Sequence, residues 1–198
     1  MPRHVAILDD WTRKETADGM QCTIRPYRTA DRDAVDRVAL AAFSQYAHAY
    51  ADWPAFSARI ARTSELASQA ELLVADIDGE VLGAVLHVAP GKPRSAIFPD
   101  DWAVIRMLVV APGQRGRGVG RQLVAACLRH ALRDGAPAVG LHTSPMMATA
   151  LRLYTTLGFT RDRDLDPIDG VAYGRYVLPA EALPAALEQL SNWPAAGS

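Results

Sequence analysis

The densest chemistry in this sequence is the run Gln114-Arg115-Gly116-Arg117-Gly118-Val119-Gly120-Arg121, set between an apolar stretch and an amphipathic one. Backbone N–H groups at the start of a helix have no intrahelical acceptors, and the helix dipole favours negative charge beside them. Glycines allow left-handed backbone angles and let phosphate oxygens come close to the main chain. Arg115, Arg117 and Arg121 add guanidinium groups whose forked donors match phosphate. A phosphate-bearing ligand held by the N–H groups of residues 115–120 is therefore expected here. The turn is not a Walker loop, because neither Lys-Ser nor Lys-Thr follows its last glycine. It is not a dinucleotide fingerprint either, because Arg121 stands where a third glycine belongs.

The rest of the composition makes this a local device. The chain has 21 basic and 22 acidic side chains and a formal net charge of −1, so nothing global draws it to nucleic acid or an acidic membrane surface. With 198 residues, 49% of them apolar and 22% charged, it has the profile of one globular domain with a short appendage. A core of that size needs no metal or disulfide staple. Cys22 and Cys127 lie far apart, which suits a reducing cytoplasm. No apolar run approaches membrane-spanning length, and the apolar stretch near the N-terminus is too short for a signal peptide. The expectation is a cytoplasmic protein without membrane or nucleic-acid partners.

The elements that must carry the turn follow from periodicity and breakers. Residues 1–20 read as a loosely held N-terminal extension, with 5–8 suited to a short strand and Met20 as the native start. A real extra strand or arm is the alternative. A helix is expected from an N-cap at Thr29 to about residue 47, and a second over 56–68. Residues 72–88 predict a hairpin turning at Asp78-Gly79. After a Pro- and Gly-rich loop, 102–110 predict a strand buried on both faces. A helix to about residue 133 should end at Gly135, where Leu123, Cys127 and Ala131 recur at intervals of four. A short strand over 139–143 precedes Ser144-Pro145, expected to cap and open a helix that stops at Gly158. Strands over 159–163 and 171–178 and a short helix over 185–190 close the chain. Pairing antiparallel early and parallel late indicates an α/β fold with a mixed sheet. The domain proper is placed at 21–180, with 181–198 as a short helix and tail.

Two blocks resemble the GCN5-related N-acetyltransferase (GNAT) family. The first is Leu108-Val-Val-Ala-Pro-Gly-Gln-Arg115-Gly-Arg-Gly118-Val-Gly120, and the second is Ala150-Leu-Arg-Leu153-Tyr154-Thr-Thr-Leu-Gly158-Phe159. With the Asp78-Gly79 hairpin and the opening Ile24-Arg25-Pro26, the likeness covers about residues 21–178. It implies a splayed sheet of six to seven strands flanked by helices, open between the strand ending at Val110 and the strand from Val139. Acetyl-coenzyme A would enter there as cosubstrate, with no metal. Its pantetheine arm would lie along Leu108, Val109 and Val110, and its pyrophosphate would meet Arg115, Gly116, Arg117, Gly118, Val119, Gly120 and Arg121. The acetyl group would pass directly to a primary amine of a small molecule or peptide. Tyr154 matches the tyrosine that protonates the departing thiolate. Homodimers are common in that family.

Two positions depart from the family pattern. Met147 replaces an Asn that often contacts the cofactor, and Arg106 is the only polar side chain over 104–110, where many members carry a Glu base. The base is left open among Asp100, Asp101, His142 and a water chain. Tyr46, His48, Tyr50 and Trp53, with Tyr173 and Tyr176 opposite, either line an acceptor pocket or cap the core edge. No carboxylate cluster is present there, so a small amine, amino acid or peptide N-terminus fits better than a polycation. A coenzyme A-binding sensor without catalysis and a transferase of longer acyl groups are the other readings.

Overall fold

One sheet runs through the molecule in the strand order β1-β2-β3-β4-β5-β6-β8-β7. The structure, a computed structural model, describes residues 13–15 and 21–193. In chain order its elements are β1 (Arg13–Glu15), β2 (Gln21–Pro26), α1 (Arg32–Ser44), α2 (Trp53–Ile60), β3 (Glu71–Ile77), β4 (Glu80–Val88) and β5 (Ala103–Val110). There follow α3 (Val119–Arg133), β6 (Ala138–Thr143), α4 (Ala148–Thr156), β7 (Thr160–Ile168), β8 (Val171–Pro179) and α5 (Leu183–Ser191). Strand β1 adds three residues to the edge of β2, so seven longer strands carry one short addition. The strand expected at 5–8 lies outside the described residues.

Period-two alternation sends side chains to opposite faces of the sheet, and each face has its own helices. On one side Leu73, Val85, Ile105, Leu141 and Leu178 pack with Leu123, Cys127 and Leu128 of α3 and Leu183 of α5. On the other, Val74, Leu86 and Val104 meet Val35 and Val38 of α1 and Phe56 and Ile60 of α2. Helix α5 is thus part of a core layer. Each large side chain moved fully from water contributes on the order of 2 kcal/mol, and this burial holds the layers together. The β3–β4 hairpin turns at Asp78 and Gly79, both left-handed with φ 54 and 85, as a two-residue turn matched to strand twist requires. The Asp76 carboxylate accepts the Gly79 N–H at 2.8 Å and fixes the turn.

Several boundaries differ from expectation because side chains have other partners. Thr29 opens a 3-10 turn, and α1 begins only at Arg32. Asp31, at its N-cap position, makes no cap bond to the helix, since its carboxylate accepts from Arg25 at 2.7 and 2.9 Å and from the Arg28 N–H at 2.7 Å. The helix expected over 56–68 is divided: α2 starts at Trp53 under an Asp52 cap, and Thr63–Ser68 is 3-10. Asp36 enforces that break by accepting both the Ser64 N–H at 2.7 Å and its hydroxyl at 2.8 Å. Ser144-Pro145 does not cap α4, which begins at Ala148 behind a turn in which the Met147 N–H donates to the Ser144 carbonyl. Parallel pairing is confined to β5 and β6; β6, β7 and β8 pair antiparallel. Strand β5 is not buried throughout, because Arg106, Met107, Leu108 and Val110 are only partly covered.

Arg25 joins two strands and a helix start, donating to Asp31 and, at 2.7 and 2.9 Å, to Asp76. Arg25→Met would leave two poorly solvated carboxylates uncompensated and is expected to cost about 3 kcal/mol at pH 7. The hydrogen bond from Arg25 is the main cause that holds the Asp31 carboxyl below its usual range. A depressed acid stabilises the fold above its unfolded pKa, about 4, and loses that contribution as pH falls through its folded value. Urea unfolding should therefore show the full gap between wild type and Arg25→Met at pH 7 and a much smaller one near pH 3.

Candidate active site

The site begins where two strands part. Parallel pairing between β5 and β6 holds only at Ala103↔Val139 and Val104↔Gly140, and beyond these residues the ladder stops. On its other edge β5 carries a bulge: Leu86 pairs with Arg106 but Ala84 pairs with Val109. Met107 takes up the extra residue in the left-handed region at φ 51. The consequence is a change of face. Val104 and Met107 pack on the α1 side, and alternation from Val104 places Arg106 there too, whereas Leu108 and Val110 pack on the α3 side. No Gly or Pro in 103–110 announces this bulge.

The glycine turn lies at the open end of the wedge. Gly116 and Gly118 have φ 80 and 87, and Gly118 is the N-cap of α3. A Cβ on Gly118 would stand 2.9 Å from a guanidinium nitrogen of Arg121. Glycine is needed here for its backbone angle, since the nearby Arg121 side-chain end can move aside. A cavity of about 600 Å³ connects this turn with the strand edge. Leu108, Val109, Val110, Arg115, Gly116, Gly118, Val119, Gly120 and Arg121 all border it, so nine of the ten expected cofactor-binding residues share one wall. Arg117 does not border it and donates to Gln114 at 3.3 Å. The Arg115 guanidinium reaches α1, donating to Gln45 Oε1 at 2.9 Å and the Ala42 carbonyl at 3.2 Å. Arg121 stacks on Trp193 at 5.2 Å, and burial lowers its pKa. Two residues that the sequence does not single out, Arg152 and Trp193, also border the cavity. Arg152 lies inside the second family block, and nothing in the sequence marks Trp193.

Helix α4 forms the facing wall through Met147, Ala148, Ala150 and Leu153. Met147, in place of the expected Asn, accepts a weak hydrogen bond at sulfur from the Thr143 hydroxyl at 3.7 Å. Tyr154 is buried behind this wall, edge-on to Phe159 at 5.6 Å, and is not itself among the bordering residues. Burial first, and the nearby Cys127 second, push its hydroxyl pKa well above the ordinary range.

His142 follows the point where β6 leaves β5. Its ring lies between Phe98 at 6.1 Å and Tyr173 at 5.6 Å. Burial, and secondarily the Arg106 charge, push its pKa down to about 4, so it is neutral at physiological pH. Asp100 and Asp101 are exposed in the turn before β5. Neither of them borders the cavity. Among the aromatic residues, Tyr46 borders the cavity and His48 is exposed. Tyr50 stacks on Phe56 at 3.9 Å and shares a 2.6 Å hydrogen bond with the Tyr173 hydroxyl, with Trp53 at 6.2 Å. Tyr176 does not face them: three positions beyond Tyr173, it packs on the α3 side. Among the described residues no group of three His, Cys, Asp or Glu is placed to hold a metal ion, and no helix is long and apolar enough to cross a membrane.

Comparison with known proteins agrees with this geometry. Solved structures with the same fold include Mycobacterium smegmatis RimJ in complex with CoA-disulfide, with a TM-score of 0.66, 19% identity and coverage of 90% of this chain and 92% of that one. Another is yncA of Salmonella typhimurium with acetyl-CoA, with a TM-score of 0.57, 20% identity and coverage of 80% and 94%. Among curated proteins, a mycothiol acetyltransferase of Thermomonospora curvata is 36% identical over 92 residues, 46% of this chain and 28% of that protein. One of Frankia alni is 33% identical over 90 residues, 44% and 27%. The chain thus spans under a third of the length of these relatives. The family model described as Acetyltransferase (GNAT) family matches residues 34–159, from α1 through the glycine turn to the end of the second block. That match takes in more than half of the chain, including β5, the glycine turn and α4, and the chain belongs to the GNAT acetyltransferase family.

Proposed function

We propose that this protein transfers an acetyl group from acetyl-coenzyme A to a primary amine. The observation that carries the reading is the continuous cavity wall formed by the glycine turn, the free edge of β5 and helix α4. The N–H groups that open α3, with the Arg121 side chain beside them and Arg152 across the cavity, suit a pyrophosphate. The main chain of 108–110, released from β6, suits the amides of an extended arm, in the manner of an added strand. The names of the similar curated proteins, mycothiol acetyltransferases, point to the same transfer.

Acetyl-coenzyme A supplies the acetyl group as a thioester. A C–N bond forms to the acceptor nitrogen, the C–S bond breaks, the thiolate gains a proton and the nitrogen loses one. Tyr154 is proposed to donate the proton to sulfur, being kept fully protonated by burial and adjoining Leu153 of the cavity wall. Its place behind that wall favours one second reading, a coenzyme A-binding module without turnover. Two buried free cysteines, Cys22 and Cys127, support a cytoplasmic setting.

Two measurements test this proposal. Gly118→Val forces a β-branched residue to a left-handed angle and into Arg121. Calorimetry should show acetyl-coenzyme A affinity lowered at least about 30-fold while the circular dichroism spectrum is kept. Unchanged affinity would remove the glycine turn as the phosphate site. Tyr154→Phe should reduce kcat about 100-fold, read as free thiol released across an amine panel, with cofactor affinity nearly intact. Equal turnover would mean that the thiolate leaves without this acid, and no thiol release from wild type with any amine would favour the binding module.

A further inference from the structure

The paired arginines of this protein make Arg106 conspicuous. Arg25 holds Asp31 and Asp76, Arg59 holds Asp169, Arg133 holds Asp134, and Arg175 holds Asp162. Arg106 has no hydrogen bond or ion pair with any described residue, although it is partly covered and burial lowers its pKa. A guanidinium drawn out of water without an anion is costly. Extending the register Val104↔Gly140 by two residues sets Arg106 level with His142, on the same face, just where the strands part. The His142 Nδ1 is buried without a partner. The Arg106 guanidinium and the neutral His142 imidazole thus share one corner of the wedge, and no carboxylate of a described residue compensates the guanidinium there. Arg175, opposite His142 on β8, is already committed to Asp162 and to the face of Trp102 at 5.2 Å.

The phosphates of the cosubstrate do not meet this need. Arg106 lies four residues, roughly 13 Å, back along β5 from Val110, toward the closed end of the wedge. An acetyl thioester is neutral, so with that donor a negative charge at Arg106 has to arrive with the acceptor. We propose that Arg106, with His142 beside it, receives a carboxylate of the acceptor, so that the acceptor class is a small amino acid bearing amine and carboxylate on one molecule. This inference rests on the acetyl-transfer reading above for its chemistry, and Arg106 acts in it as a specificity-determining residue.

The test compares L-amino acids with their carboxamides as acceptors, with free thiol as the readout. Wild type should prefer the acids. Arg106→Gln should raise KM for the acids about 10- to 100-fold, leave the carboxamides and acetyl-coenzyme A affinity within about twofold, and so erase the preference. Arg106→Lys should restore part of it. Independently of turnover, ¹⁵N-histidine NMR of the coenzyme A-saturated protein should show the His142 pKa rising from about 4 on addition of the acids and not of the carboxamides. Equal use of acids and carboxamides by wild type, or a His142 signal indifferent to every acid, would overturn the proposal. Failure to take up acetyl-coenzyme A would instead defeat the acetyl-transfer reading, and the His142 titration with acids alone would still decide whether a carboxylate is received.

Discussion

Everything in the site depends on how briefly β5 and β6 stay together. Two residue pairs, Ala103↔Val139 and Val104↔Gly140, join the halves of the sheet. Hydrogen-bonding groups of the backbone buried without partners are costly, so a sheet that opens within its centre must give those groups to water or to a ligand. The bulge at Met107 compounds the opening by bending β5 away and turning Leu108 and Val110 toward α3. Gly140 fits the closed end of the same wedge, because a Cβ there would come within 2.7 Å of Phe98. Opening, bulge and bare backbone together make a cleft whose floor is main chain.

Around that cleft the charges are divided by position. The glycine turn and Arg121 border the cavity at its open end, whereas Arg106 and His142, which do not border it, stand on β5 and β6 just past the two pairs that close the wedge. Between them the wall is apolar, formed by Leu108, Val110, Ala150 and Leu153.

Much of this architecture is legible in the amino-acid sequence. Gly116 and Gly118 of the turn, the Asp78-Gly79 hairpin and the terminators Gly135 and Gly158 are local signals, since each of these residues takes a left-handed angle that few others tolerate. What the sequence hides is decided by partners distant along the chain. Asp31 is drawn from its helix by Arg25, and Asp36 divides a predicted helix by binding Ser64. Arg115 turns to the end of α1, a contact spanning 70 positions. The bulge at Met107 occupies a residue type that gives no hint of it, so simple alternation assigns the wrong face to every later residue in β5. Tyr173 and Tyr176 are close in sequence, yet an odd spacing on a strand separates them across the sheet.

The stack of Trp193 on Arg121 ties the last turn of the described chain to the rim of the cleft. Helix α5 is anchored beneath it through Leu183, Ala186 and Leu190. An indole face and an arriving anion both attract the same guanidinium, one through its quadrupole and one through charge. An anion that engages Arg121 would therefore compete with Trp193 for it, and so link cleft occupancy to the grip of the C-terminal helix.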